Sequence, residues 1–121
     1  MRQHRLFRIA VVYLFFAFLA HGHAILLTAT PASGQVVRGP DIEVNFRFNS
    51  RVDAKRSRIT LVPPGGTPRT LTIGEQSSPD SLNSSVHGLK SGPYTLQWQV
   101  LAVDGHISRG EVPFRIQLRP E

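Results

Sequence analysis

A carboxylate and an imidazole stand two residues apart at Asp104 and His106, with Gly105 between them. Both groups bind divalent metal ions, one through oxygen and the other through nitrogen. Two donors do not complete a site, so the rest must come from elsewhere in the chain. Their placement follows from the flanking runs. Before them, Tyr94-Thr95-Leu96-Gln97-Trp98-Gln99-Val100 alternates, with Tyr94, Leu96, Trp98 and Val100 on one face. After them, Val112-Pro113-Phe114-Arg115-Ile116-Gln117-Leu118 alternates again, with Val112, Phe114, Ile116 and Leu118 on one face. Alternation with period two predicts strands, and Asp-Gly predicts a turn. Asp104 and His106 are therefore expected at the end of a sheet.

The other end of the chain begins as a leader. Arg2, Arg5 and Arg8 precede Ile9 to Ala20, a run that is apolar throughout. A basic start, an apolar stretch of about 7–15 residues and small residues at a cut site make a secretory signal peptide. The run falls short of the roughly 20 residues of a membrane span. Ala20 and Gly22 supply the small residues for a cut after Gly22, giving residues 1–22 as leader and a mature domain, 23–121, that begins at His23. A cut after Ala20 places bulky Phe18 in the third position, and one after Ala24 discards His23.

Cleavage after Gly22 leaves 99 of the 121 residues, enough for one small core. Three of the 14 Lys and Arg residues go with the leader, so 11 face 8 acidic residues, a net +3. No basic run with interleaved aromatics is present, and a nucleic-acid partner is not expected. With no Cys and only the initiator Met, thiolate and thioether metal sites are excluded.

From His23 onward the pattern is all β. Strands are predicted over Ile25–Thr30, Asp41–Phe48, Ser57–Val62, Arg69–Ile73 and, more weakly, Ser81–Val86, before the two already described. Seven short strands with turn signals between them indicate a Greek-key β-sandwich or small barrel. Tyr94 and Trp98 read as core, His87 as a solvated loop residue, and His4 and His21 as part of the leader. Arg47, Arg51, Lys55, Arg56 and Arg58 gather around one turn, which suits a solvated edge or contact with an acidic membrane partner.

The mature start His23-Ala24, the turn Thr30-Pro31-Ala32-Ser33-Gly34, the Phe-containing strand ending at Asn49, and the run Ser91-Gly92-Pro93-Tyr94 through Asp104-Gly105-His106 to Phe114 resemble the CopC family of periplasmic copper-binding and copper-resistance proteins. The resemblance implies a cupredoxin-like or immunoglobulin-like β-sandwich. It implies one Cu(II) held by the amine and imidazole of His23 with Asp104 and His106. It also implies a periplasmic, monomeric, non-enzymatic carrier that hands copper to an inner-membrane transporter of the CopD type. The chain departs from Met-rich members in that Leu61 to Ser78 holds neither Met nor His. Ile107 follows His106 where many members have Pro, and Asn49 stands near where an acidic residue is often found, so no further carboxylate ligand is assigned.

The implied donors suit the ion. Amine, two imidazoles and a carboxylate form an N,O set that favours tetragonal Cu(II) over Cu(I). Amine and imidazole must give up protons to bind, so affinity falls as pH drops. Two other readings stay open. An N-terminal His with a second His also forms the copper brace of polysaccharide-oxidising monooxygenases, against which stand the small size and the extra carboxylate. A metal-free immunoglobulin-like interaction module follows if the mature chain starts at Ile25. A cut after Ala20 would instead make His21-Gly22-His23 a chelate that uses backbone amides.

Overall fold

Ile42, Val44, Phe46 and Phe48 are buried, while Glu43, Asn45 and Arg47 between them are exposed. That alternation is what a strand with one face in a core and one in water requires. The computed structural model describes residues 23–118; the predicted leader, residues 1–22, lies outside the described residues. Eight strands follow in order: β1 (Leu26–Thr30), β2 (Val36–Arg38), β3 (Ile42–Phe48), β4 (Arg58–Val62), β5 (Arg69–Thr70), β6 (Ser81–Val86), β7 (Gly92–Leu101) and β8 (Ile107–Gln117). They form a three-stranded sheet, β1-β3-β6, and a five-stranded sheet, β2-β8-β7-β4-β5. The alternatives of sandwich and barrel thus resolve to a two-sheet sandwich.

Three differences from the strand pattern read in the sequence have simple causes. There are eight strands rather than seven, because Val36–Arg38 is too short to show alternation and is ordered by parallel pairing with β8. β5 spans two residues instead of five, although the Leu71 amide still donates to the Ile59 carbonyl at 2.8 Å. β8 starts at Ile107, not Val112, since Ile107 to Gly110 pair with Leu101 to Trp98. Alternation hid this extension because Gly110, an inward position, carries no side chain.

The core joins the sheets through Phe48 of β3 and Trp98 of β7, whose rings meet edge to face at 5.2 Å. Gly110 lies opposite Trp98 across the β7–β8 ladder. A Cβ at Gly110 would stand 2.4 Å from Cζ2 and 2.6 Å from Cε2 of the indole, closer than any packed carbon atoms. The indole therefore lies over bare backbone, and the glycine is required by close approach. Further along the same two strands Tyr94 stacks on Phe114 at 5.7 Å. These contacts pack the body of the β7–β8 hairpin, whose ladder continues to Leu101 and Ile107 beside the loop.

Gly110→Ala should cost about 1–3 kcal/mol of folding stability through overpacking against a ring that Phe48 holds from the other side. Urea unfolding followed by Trp98 fluorescence measures it. An unchanged midpoint would mean that the indole tilts freely, contrary to the packing described.

Candidate metal centre

The tip of the β7–β8 hairpin is Ala102 to His106. The Gly105 amide donates to the Ala102 carbonyl at 2.9 Å, and the Ala102 amide donates to the His106 carbonyl at 2.9 Å. Gly105 has φ +91°, the left-handed conformation that closes a three-residue hairpin loop at little cost to glycine. Asp104 is a local organiser of this loop: its Oδ1 accepts from the His106 amide at 3.1 Å. Its Oδ2 lies 3.2 Å from His106 Nδ1. Chiefly through that backbone hydrogen bond, and next through the imidazole, the Asp104 carboxyl is held below the ordinary 3.8 and stays ionised. The carboxylate thus lies beside one ring nitrogen of His106, with both side chains largely exposed.

The loop between β3 and β4 braces the hairpin. Val52 bridges to Ala102, the Asp53 amide donates to the Leu101 carbonyl at 2.8 Å, and Val103 donates to the Arg51 carbonyl at 3.3 Å. Ser57 Oγ accepts from the Leu101 amide at 3.2 Å and donates to the Asp53 carbonyl at 2.6 Å. Asp53 also caps a short 3-10 turn, Ala54–Arg56, by accepting from the Lys55 and Arg56 amides. The basic group noted in the sequence is partly neutralised here, with Arg56 3.8 Å from Asp53 and Arg47 3.3 Å from Asp80.

His23 comes to the same place from the start of the domain. Ala24 is buried, and its amide donates to Ser108 Oγ of β8 at 3.0 Å. The next residue, Ile25, is tied twice to Asn49: its amide donates to Oδ1 at 2.7 Å, and its carbonyl accepts from the Asn49 amide at 3.0 Å. These bonds bring the His23 and His106 rings to a centroid separation of 6.1 Å. Metal–imidazole bonds are about 2 Å long, so two rings on opposite sides of one ion have centroids about 6 Å apart, and closer if they are adjacent. The separation fits a shared ion.

Among the described residues, no three His, Asp or Glu side chains converge as a ready-made metal set. Asp104 is turned toward His106, so the two imidazoles need at least one further donor. His87 lies apart, following β6, with Nδ1 3.5 Å from Asp41 and a side chain 74% exposed. One surface depression, about 430 Å³ and lined by residues that include Arg58, Gln99 and Arg109, lies on the five-stranded sheet, and a larger one, about 660 Å³, is lined by residues that include Arg47, Asn49 and Asp80. Sequence reading missed Ser108 and the part played by Asn49. Ser108 is a polar residue at an inward position of a strand, which is the signal that a backbone partner is needed.

Residues 26–117 match the CopC domain. The chain belongs to the CopC family. Its fold matches that of CopC from Methylosinus trichosporium OB3b with a TM-score of 0.75 and 26% identity, over 82% of this chain and 98% of that one. It also matches the fold of PcoC from Escherichia coli, a methionine-rich copper resistance protein, with a TM-score of 0.67 and 20% identity over 79% of this chain and all of that one. Protein YobA of Escherichia coli K12 is 28% identical over 98 residues, 78% of this chain and 79% of that protein. The matched span starts three residues after His23, so His23 lies just outside it and is placed by the Ala24 and Ile25 contacts.

The Asp104 carboxyl titrates below its ordinary 3.8 when folded, so it adds stability that is full above that value and is lost as pH falls through and below it. Asp104→Asn in the metal-free protein should thus be less stable than wild type near neutrality, with the gap closing in strong acid. Thermal unfolding across pH tests this. A gap that does not change with pH would mean the ionised form is not favoured by folding.

Proposed function

We propose that cleavage after Gly22 releases a periplasmic, monomeric carrier that binds one Cu(II) through the α-amine and imidazole of His23 and the imidazole of His106, with Asp104 as the carboxylate donor. One observation carries this reading: His23 and His106, at opposite ends of the domain sequence, stand with ring centroids 6.1 Å apart. The free amine of a first residue supplies the donor that the side chains alone do not. Amine and imidazole of one residue close a chelate ring, which lowers the entropic cost of the second bond. Asp104 is half exposed, so one oxygen can turn to the ion at the loss of its contact with Nδ1.

The N,O donor set favours Cu(II), and an open end of a sandwich suits an ion that must be taken up and passed on. Family membership and the likeness to CopC and to PcoC, a copper resistance protein, support copper as the cargo. Export and the carrier role support delivery to an inner-membrane transporter of the CopD type. No chemical transformation is assigned, and the protein is read as a binding protein rather than an enzyme.

Intact mass of the exported protein, followed by Cu(II) titration with Trp98 fluorescence as the signal, tests the proposal. The expected chain starts at His23 and saturates at one equivalent. His23→Ala and His106→Ala should each lower affinity at least 100-fold, whereas His87→Ala should leave it within about twofold. Affinity should also weaken as pH falls below neutrality, because protons compete for the same nitrogens. A chain beginning at Ile25, or equal losses in all three variants, would overturn the site.

A further inference from the structure

A free N-terminus ordinarily offers Cu(II) more than its amine. The backbone amide nitrogens that follow can lose their protons and join the coordination set, each closing a five-membered ring with the donor before it. In this protein the first two such amides are both committed as donors to the protein. The Ala24 N–H is buried and points to Ser108 Oγ at 3.0 Å. The Ile25 N–H points to Asn49 Oδ1 at 2.7 Å, a contact doubled by the return bond from the Asn49 amide to the Ile25 carbonyl at 3.0 Å. An amide that donates to an oxygen has its N–H directed at that oxygen, and giving up the proton to a metal forfeits that bond.

We infer that Ser108 and Asn49 are positioning residues that select the coordination mode: they deny copper the Ala24 and Ile25 amide nitrogens and so direct the first residue to bind through amine and imidazole, beside His106. The inference rests on the proposed His23 site and adds a specificity device to it. Two consequences come from the same two contacts. The His23 ring is kept within reach of His106 rather than free to fold back on its own backbone. The backbone of residues 24 and 25 stays in protein hydrogen bonds, so copper can leave without the chain having to be reprotonated and reordered.

The test uses the mature protein beginning at His23 with one equivalent of Cu(II), read by its visible d–d band and by electron paramagnetic resonance. A peptide of residues 23–27 is the unclamped reference. Wild type should differ from the peptide. Asn49→Ala and Ser108→Ala should each shift the band to shorter wavelength, toward the peptide, as amide nitrogen replaces other donors. Each should also lower affinity in a chelator competition about tenfold, the range found when groups that orient metal ligands are removed. Ser108→Thr retains the accepting hydroxyl and should keep the wild-type spectrum. Ser84→Ala removes a comparable buried hydroxyl, bonded to the Thr72 carbonyl at 2.7 Å and distant from His23, and should change stability without changing the spectrum.

Asn49 is exposed, so Asn49→Ala carries the test even where Ser108→Ala fails to fold. A wild-type spectrum equal to the peptide's would overturn the inference. So would folded Asn49→Ala protein with wild-type spectrum and affinity, or a Ser84→Ala change of the same size. A wild type that binds no Cu(II) would overturn the His23 site itself, whereas binding with indifferent variants overturns only the role of Ser108 and Asn49.

Discussion

The hydrogen bond from the Ala24 amide to Ser108 Oγ fixes where the start of the domain meets the last strand, and the placement of His23 beside His106 follows from it. It joins the first described residues to the last strand and does so where both groups are buried, so neither can turn to water for a substitute. Burial of Ala24 provides the apolar part of the same attachment. Without it, the anchoring of His23 would fall back on the two Ile25–Asn49 bonds at an exposed position, and meeting His106 would carry more of the entropy of ordering residues 23 and 24. With it, the cost is met during folding of the sandwich.

The opposite partner is fixed by a different kind of constraint. His106 sits at the tip of a two-stranded arm, and such arms are soft unless something stiffens them. Here the arm is embedded in a five-stranded sheet and backed by Trp98, which fits only because Gly110 leaves its inner face bare. Beyond the last ladder pair, the loop between β3 and β4 takes over through Val52, Asp53 and Ser57. Asp104 then sets the imidazole itself. The order of support runs from core to strand to loop to ring, and the groups become more exposed along it.

Much of this was legible in the sequence, and the limits are instructive. Period-two alternation located β3, β4 and β7 to within a few residues, because each buries one face and wets the other. It failed for β2, which has too few residues to alternate, and for the first half of β8, where Gly110 interrupts the pattern. The Asp104-Gly105-His106 turn was legible because its residues are contiguous and its glycine is conformationally required. Ser108 was not, since a hydroxyl in a strand reads as ordinary until the backbone amide it serves is known to arrive from the other end of the chain. Asn49 was noticed for the carboxylate it lacks, whereas its work lies in the two bonds it makes with Ile25.

An amide rather than a carboxylate at position 49 has its own logic in this setting. A carboxylate at that position would accept the Ile25 amide equally well, but it would also place a second anion near Asp104 at an end where Asp53 and Asp80 already lie within ion-pair distance of Arg56 and Arg47. It would offer oxygen donors that compete with the chosen set. An amide side chain can accept the Ile25 N–H through its oxygen, carries no charge and is a weaker metal ligand than a carboxylate. The same residue type that removes a candidate ligand thereby supplies an uncharged anchor for the Ile25 backbone.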